Sequence, residues 1–165
     1  MEFVVYLVRL IHIFFAIFWV GTTLFMVLFL EPTIRALGPD GGKVMRQLLG
    51  GTRFTLAIAA AGWLVVLSGL VMYLPATGFN VAVMFSQRLP LTIGSIAGIA
   101  AGVIGTTIQG RASAKLQALG QQIAAQGGPP KAMQTSEMQK LQATIRQGSV
   151  WTAVLMVIAV LGMTW

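Results

Sequence analysis

The chain has 165 residues, of which 56% are hydrophobic and only 9% charged, with a formal net charge of +7 and a mean hydropathy of +0.83. A soluble domain carries about 25% charged residues, so the composition excludes a water-soluble fold. The surplus of Lys and Arg on so apolar a chain points to anionic lipid headgroups and away from nucleic acid. Cysteine is absent, which excludes disulfides, thiolate metal sites, covalent c-type haem attachment and cysteine nucleophiles.

Four apolar stretches are long enough to cross roughly 30 Å of hydrocarbon as helices. They cover residues 3–30, 54–74, 91–109 and 150–165. The first does not read as a cleavable signal peptide, because it lacks a basic start and a small-residue cleavage site and is too long. The stretches are continuous and do not alternate with period two, which argues against a β-barrel. The expected fold is all-α, a four-transmembrane-helix up-down bundle forming one integral membrane domain over 1–165.

The basic residues orient that bundle. Of eleven Lys and Arg, nine lie in the connections between spans one and two and between spans three and four. Only Arg9 and Arg88 lie on the other side. Both large connections are therefore expected in the cytoplasm, with both termini outside.

The connection over 31–51 reads as broken. Pro32 can begin a short helix, Gly38-Pro39-Asp40-Gly41-Gly42 is a turn cluster, and Lys43 to Leu49 is a short basic amphipathic helix suited to the membrane surface. The connection over 110–148 carries two apolar stripes at helical spacing, Ala112, Leu116, Leu119, Ile123 and then Met138, Leu141, Ile145. Gly127-Gly128-Pro129-Pro130 separates them as a stop and restart. The stripes mirror each other about that turn, which predicts a cytoplasmic helical hairpin extending spans three and four. It serves either as a self-contained packing device or as a docking surface.

His12 is the only histidine and lies inside the first span. An ionisable side chain at membrane depth marks a functional candidate, and neutral imidazole is a ligand for haem iron and copper. It shares one helix face with Ala16, Trp19, Thr23 and Met26, a face expected to point into the bundle. A hydrogen bond to Ser, Thr or a backbone carbonyl would satisfy it equally well. Helix rise places Ser68 and Met72, Ser95 and Gly98, and Met156 and Ala159 near its depth. Met72 and Met156 are thus candidate second ligands through their thioethers, or else core filler. Arg9, one turn nearer the surface, is placed to hold an anion such as a propionate or to snorkel to headgroups. Gly94, Gly98 and Gly102 form a small-xxx-small run suited to close helix packing. No catalytic constellation is present: there is no paired carboxylate, no Ser/His/Asp set, no HExxH and no phosphate loop.

Arg9-Leu10-Ile11-His12, followed by Trp19, Gly21 and Pro32, resembles the first span of the CopD-like membrane proteins, in which an (R/K)xLH start precedes W-x-G and a late proline. Arg53-Phe54-Thr55 with Ser68-Gly69-Leu70 is similar to their second span. The HemJ-type haem-pathway proteins share the LH…W…G opening, while the hairpin and last span look more like a related group of bacterial four-helix proteins. The resemblance implies a bacterial inner-membrane protein with a role linked to haem b or copper, and His12 as its ligand. This chain departs from that pattern in having no further His and no dense Met cluster.

Two functions follow as expectations. One is a small membrane protein that binds b-type haem or a metal through His12. The other is a non-catalytic accessory or assembly subunit of a larger respiratory or photosynthetic membrane complex, with a homo-oligomer or other membrane subunits as partners. A transporter is the least favoured, because no inverted repeat or broken-helix pair appears.

Overall fold

The computed structural model describes residues 2–78 and 80–164. Among them it is all-helical, with no strand. Four helices are long and apolar enough to cross a membrane: Phe3–Ala36, Phe54–Thr77, Leu89–Ala125 and Ala132–Met163. Trp165, the expected end of the last span, lies outside the described residues.

The first of these joins α1 (Glu2–Phe25) to α2 (Glu31–Ala36) through a π-helical turn, Met26–Leu30. The turn has a local cause. Pro32 brings no backbone N–H, and just before it the ladder widens so that the Glu31 N–H reaches the Met26 carbonyl. Pro32 thus lies in the first turn of a short helix, as expected, and that helix continues the first span without interruption. An amphipathic helix, α3 (Pro39–Gly50), follows. The second long helix, α4 (Phe54–Thr77), ends at Gly78, whose φ of 56° is the left-handed cap that only glycine adopts without strain. The third runs as α5 (Leu89–Val103), a π-helical stretch Ile104–Gln109, and α6 (Gly110–Ala125). The fourth, α7 (Ala132–Met163), is a single helix that begins well before the apolar stretch 150–165.

Packing is organised in two antiparallel pairs. Along α1 from His12 to Trp19, the facing residues of α4 run backwards from Gly69 to Gly62. Trp19 lies flat on Gly62, where an added Cβ would be 3.2 Å from its ring. The α5–α7 pair is closer still. A Cβ added at Gly94 would sit 2.9 Å from the Ala159 carbonyl oxygen, and one at Gly162 would sit 2.8 Å from the Gly94 Cα. Backbone meets backbone there, the contact that small residues permit in membranes. The pairs join at a core of Trp19, Ala61, Val65, Ala101 and Met156.

Outside this core the surface is strongly apolar. Phe14, Ile17, Leu56, Trp63 and Leu161 are all more than half exposed. So extensive an apolar surface requires lipid or protein cover. By contrast α6 and the first half of α7 are polar outside. Their apolar stripes are covered, with Ala112 buried and Leu116, Leu119, Met138, Leu141 and Ile145 half-buried.

Candidate functional site around His12

His12 projects from α1 onto α4. Its Nδ1 lies 3.0 Å from the Val65 carbonyl oxygen and 3.1 Å from the Ser68 Oγ. Ser68, and not Ser95, is therefore its hydroxyl neighbour. The protonation of the ring follows from these partners. A carbonyl oxygen only accepts, and the Ser68 hydroxyl already donates to the Leu64 carbonyl. Nδ1 must then be the donor, and in the neutral ring Nε2 carries the lone pair. Among the described residues Nε2 has no hydrogen-bond partner.

The close approach depends on residue 69. In a helix each Cβ tilts towards the N-terminus, so the side chain at i+4 tends to cover the carbonyl at i. Residue 69 is i+4 from Val65 and is glycine. A Cβ there would be 3.0 Å from the His12 Cε1 and 3.4 Å from Nδ1. The imidazole occupies the room that Gly69 leaves open.

The ring forms part of the wall of a cleft of about 30 Å³, shared with Gly69, Tyr73, Ser95, Gly98 and Met163. Leu70 and Ile99, on its edge, are 38% and 39% exposed, so the cleft opens outward between α4 and α5. Towards the nearby end of the bundle a hydroxyl pair continues the polar layer. Tyr73 Oη and Thr92 Oγ1 are 2.9 Å apart, and Thr92 Oγ1 lies within 3.0 Å of the Met84 and Arg88 carbonyls.

The other candidate residues are dispersed. Met156 is 1% exposed and packs with Trp19 and Val65 in the core, outside the cleft wall. Met72 is half-buried on α4, also outside that wall. The thioether that does line the cleft belongs to Met163, which the register of α7 against α5 brings level with Gly98. Arg9 is exposed. Gly94 is consumed by α7, Gly98 lies between the cleft and α7, and Gly102 faces Val66 and Trp19.

The residues lining the cleft bring one imidazole, two hydroxyls and the Met163 thioether. Among the described residues no group of three His, Cys, Asp or Glu comes together to hold a metal. The cleft has room for a small group only, far below what a haem macrocycle needs. The residues of one chain do not fit an enclosed haem.

A second polar cluster lies at the opposite end of the bundle. Gln109 donates from Nε2 to Thr152 Oγ1 at 2.7 Å, beside Gly148, where a Cβ would meet the Gln109 side chain at 2.8 Å. Glu31 lies 3.6 Å from the Arg35 guanidinium, with Ser149 and Arg146 nearby.

No model of a known protein family, no curated protein and no solved structure matches the chain.

Proposed function

We propose that this is a multi-pass protein of a bacterial inner membrane, of CopD-like descent, acting as a non-catalytic accessory or assembly subunit of a larger membrane complex. The observation that carries the reading is the use of the interior. Three polar side chains of the spans bridge one element to another, His12 to Val65, Gln109 to Thr152 and Tyr73 to Thr92. The apolar flanks of α1 and α4 stay uncovered, with 6% and 11% of the residues in their most apolar windows buried. Such flanks suit anionic-lipid bilayer, further subunits or a second copy. In this reading the bundle is up-down, and α6 with the first half of α7 stands in the cytoplasm as a helical hairpin. The nine basic residues of the two long connections support that orientation.

Separation of the native complex in mild detergent tests the reading. The protein should migrate with a defined partner at fixed stoichiometry, and loss of the chain should reduce assembly of that partner. A protein that runs alone in every gentle detergent, with no effect of deletion on any membrane complex, would count against it.

A second reading keeps His12 as a single ligand to haem b iron or to copper. The observation favouring it is the tautomer. Metal-binding histidines usually donate one ring N–H to a carbonyl and ligate through the other nitrogen, which is the state the Val65 carbonyl imposes here. Met163 lines the same cleft, and any further donor would come from a partner chain. Reduced-minus-oxidised absorbance of the purified protein, with metal analysis, decides it. A Soret band or stoichiometric copper that disappears in His12→Ala supports ligation, and a colourless, metal-free protein removes it.

A further inference from the structure

We propose that the His12 cleft binds the hydroxyl head of a lipid-soluble molecule, with that hydroxyl donating to His12 Nε2. The proposal goes beyond the accessory-subunit reading and does not depend on it.

The chemistry follows from what each polar group in the cleft has left to offer. Nδ1 is committed to Val65 and Ser68, which leaves Nε2 as an acceptor. The Tyr73 hydroxyl is engaged with Thr92. Ser95 lines the same cleft and, among the described residues, makes no side-chain hydrogen bond. The two residues with such capacity to spare, His12 as an acceptor and Ser95 as a hydroxyl, both line a space of about 30 Å³. That is room for a small polar group and not for a bulky one. Among the described residues, an anion finds no cation in the wall and a cation finds no carboxylate.

The route of entry selects the rest of the ligand. The cleft opens between Leu70 and Ile99, both partly exposed and both within helices apolar enough to lie in a membrane. What arrives by that path is dissolved in the bilayer. Its body must be apolar, and only its tip can be polar. Gly69 and Gly98 narrow the two facing helices, so the tip reaches the imidazole without meeting a side chain from either position. A Cβ at Gly98 would meet only the ends of Ala159 and Met163, at 3.8 and 3.9 Å, so a larger residue there would grow into the space. The shared chemistry is an O–H donor on an apolar body. A hydroquinone and a long-chain alcohol both supply it.

A single histidine makes the test clean, because imidazole-¹⁵N labelling of the full-length protein reports one residue. The labelled protein in nanodiscs is titrated with decylhydroquinone and, separately, with dodecanol. A saturable shift of the Nε2 resonance, with Nδ1 unmoved, is expected from at least one of them, and the one that saturates at lower concentration identifies the source. The corresponding methyl ethers, which cannot donate, should bind about tenfold more weakly, the factor one hydrogen bond is worth. Gly98→Val should abolish the shift, and Ser95→Ala should weaken it while leaving the free-state spectrum in place. That second variant stands if Gly98→Val fails to fold. An Nε2 resonance that stays constant throughout means that water keeps the site. That result, or ethers that match their parent alcohols, overturns the proposal.

Discussion

His12 reaches the Val65 carbonyl because Gly69 carries no side chain over it. The imidazole Nδ1 is 3.0 Å from that oxygen, and a methyl group at position 69 would stand 3.0 Å from the ring. The first two spans are locked together by the pairing of a large polar residue with an absent one. The same arrangement repeats two helical turns along, where Trp19 fills the space above Gly62.

Gly69→Ala should therefore destabilise the protein by about 1–3 kcal/mol, the usual cost of overpacking. His12→Ala should cost about 1–2 kcal/mol, towards the low end for a lost buried hydrogen bond. Ser68 keeps its bond to Leu64 and the Val65 carbonyl keeps its place in the helix, so neither partner is orphaned. Denaturant unfolding in a fixed detergent micelle measures both. If Gly69→Ala proves as stable as the parent, the ring does not sit against α4.

Glycines of one apparent stripe should respond differently. Gly94→Ala and Gly162→Ala place a methyl group against backbone that cannot give way, and each should cost about 2 kcal/mol or more. Gly98→Ala meets only the Ala159 Cβ and the Met163 methyl, both at ordinary contact distance. It should be neutral or stabilising by about 0.5–1 kcal/mol, since alanine is the better helix former. Thermal unfolding of the three variants in one detergent gives the order, and equal losses at 94 and 98 would contradict the α5–α7 geometry.

The Tyr73–Thr92 pair should be asymmetric. Thr92→Val leaves the Tyr73 hydroxyl without its partner and should cost about 1–3 kcal/mol. Tyr73→Phe leaves Thr92 still bonded to the Met84 and Arg88 carbonyls and should cost about 1 kcal/mol or less. The comparison is read from unfolding midpoints of the two single variants.

The orientation is checked by labelling. In the proposed topology, cysteine replacing Asn80 reacts with an impermeant reagent in intact spheroplasts, and cysteine replacing Gly128 reacts only after the membrane is opened. Neither disturbs an existing thiol, as the chain has none. The reverse pattern would place the helical hairpin outside.

The number of membrane-crossing helices, their approximate positions and the apolar stripe of α6 could be read directly from residue order. Continuous apolar runs and helical spacing are local properties, and in a bilayer each span must satisfy its own backbone hydrogen bonds within itself. Pro32 lies in the first turn of a short helix, as expected, but a π turn keeps that helix continuous with the first span, a compensation that spacing alone does not reveal. Residue order also singled out His12 and Ser68 and the glycine run of span three. It could not say that the His12 ring rests on Gly69, that Met163 and not Met156 shares its cleft, or that Gly94 and Gly98 do different work. Those facts depend on the axial register and rotation of one helix against another. Where lipid and helix flanks are equally apolar, hydrophobicity does not distinguish a face turned to a neighbour from one turned to the bilayer. The choice falls to close packing and a few hydrogen bonds between residues dozens of positions apart, and only the assembled structure brings those residues together.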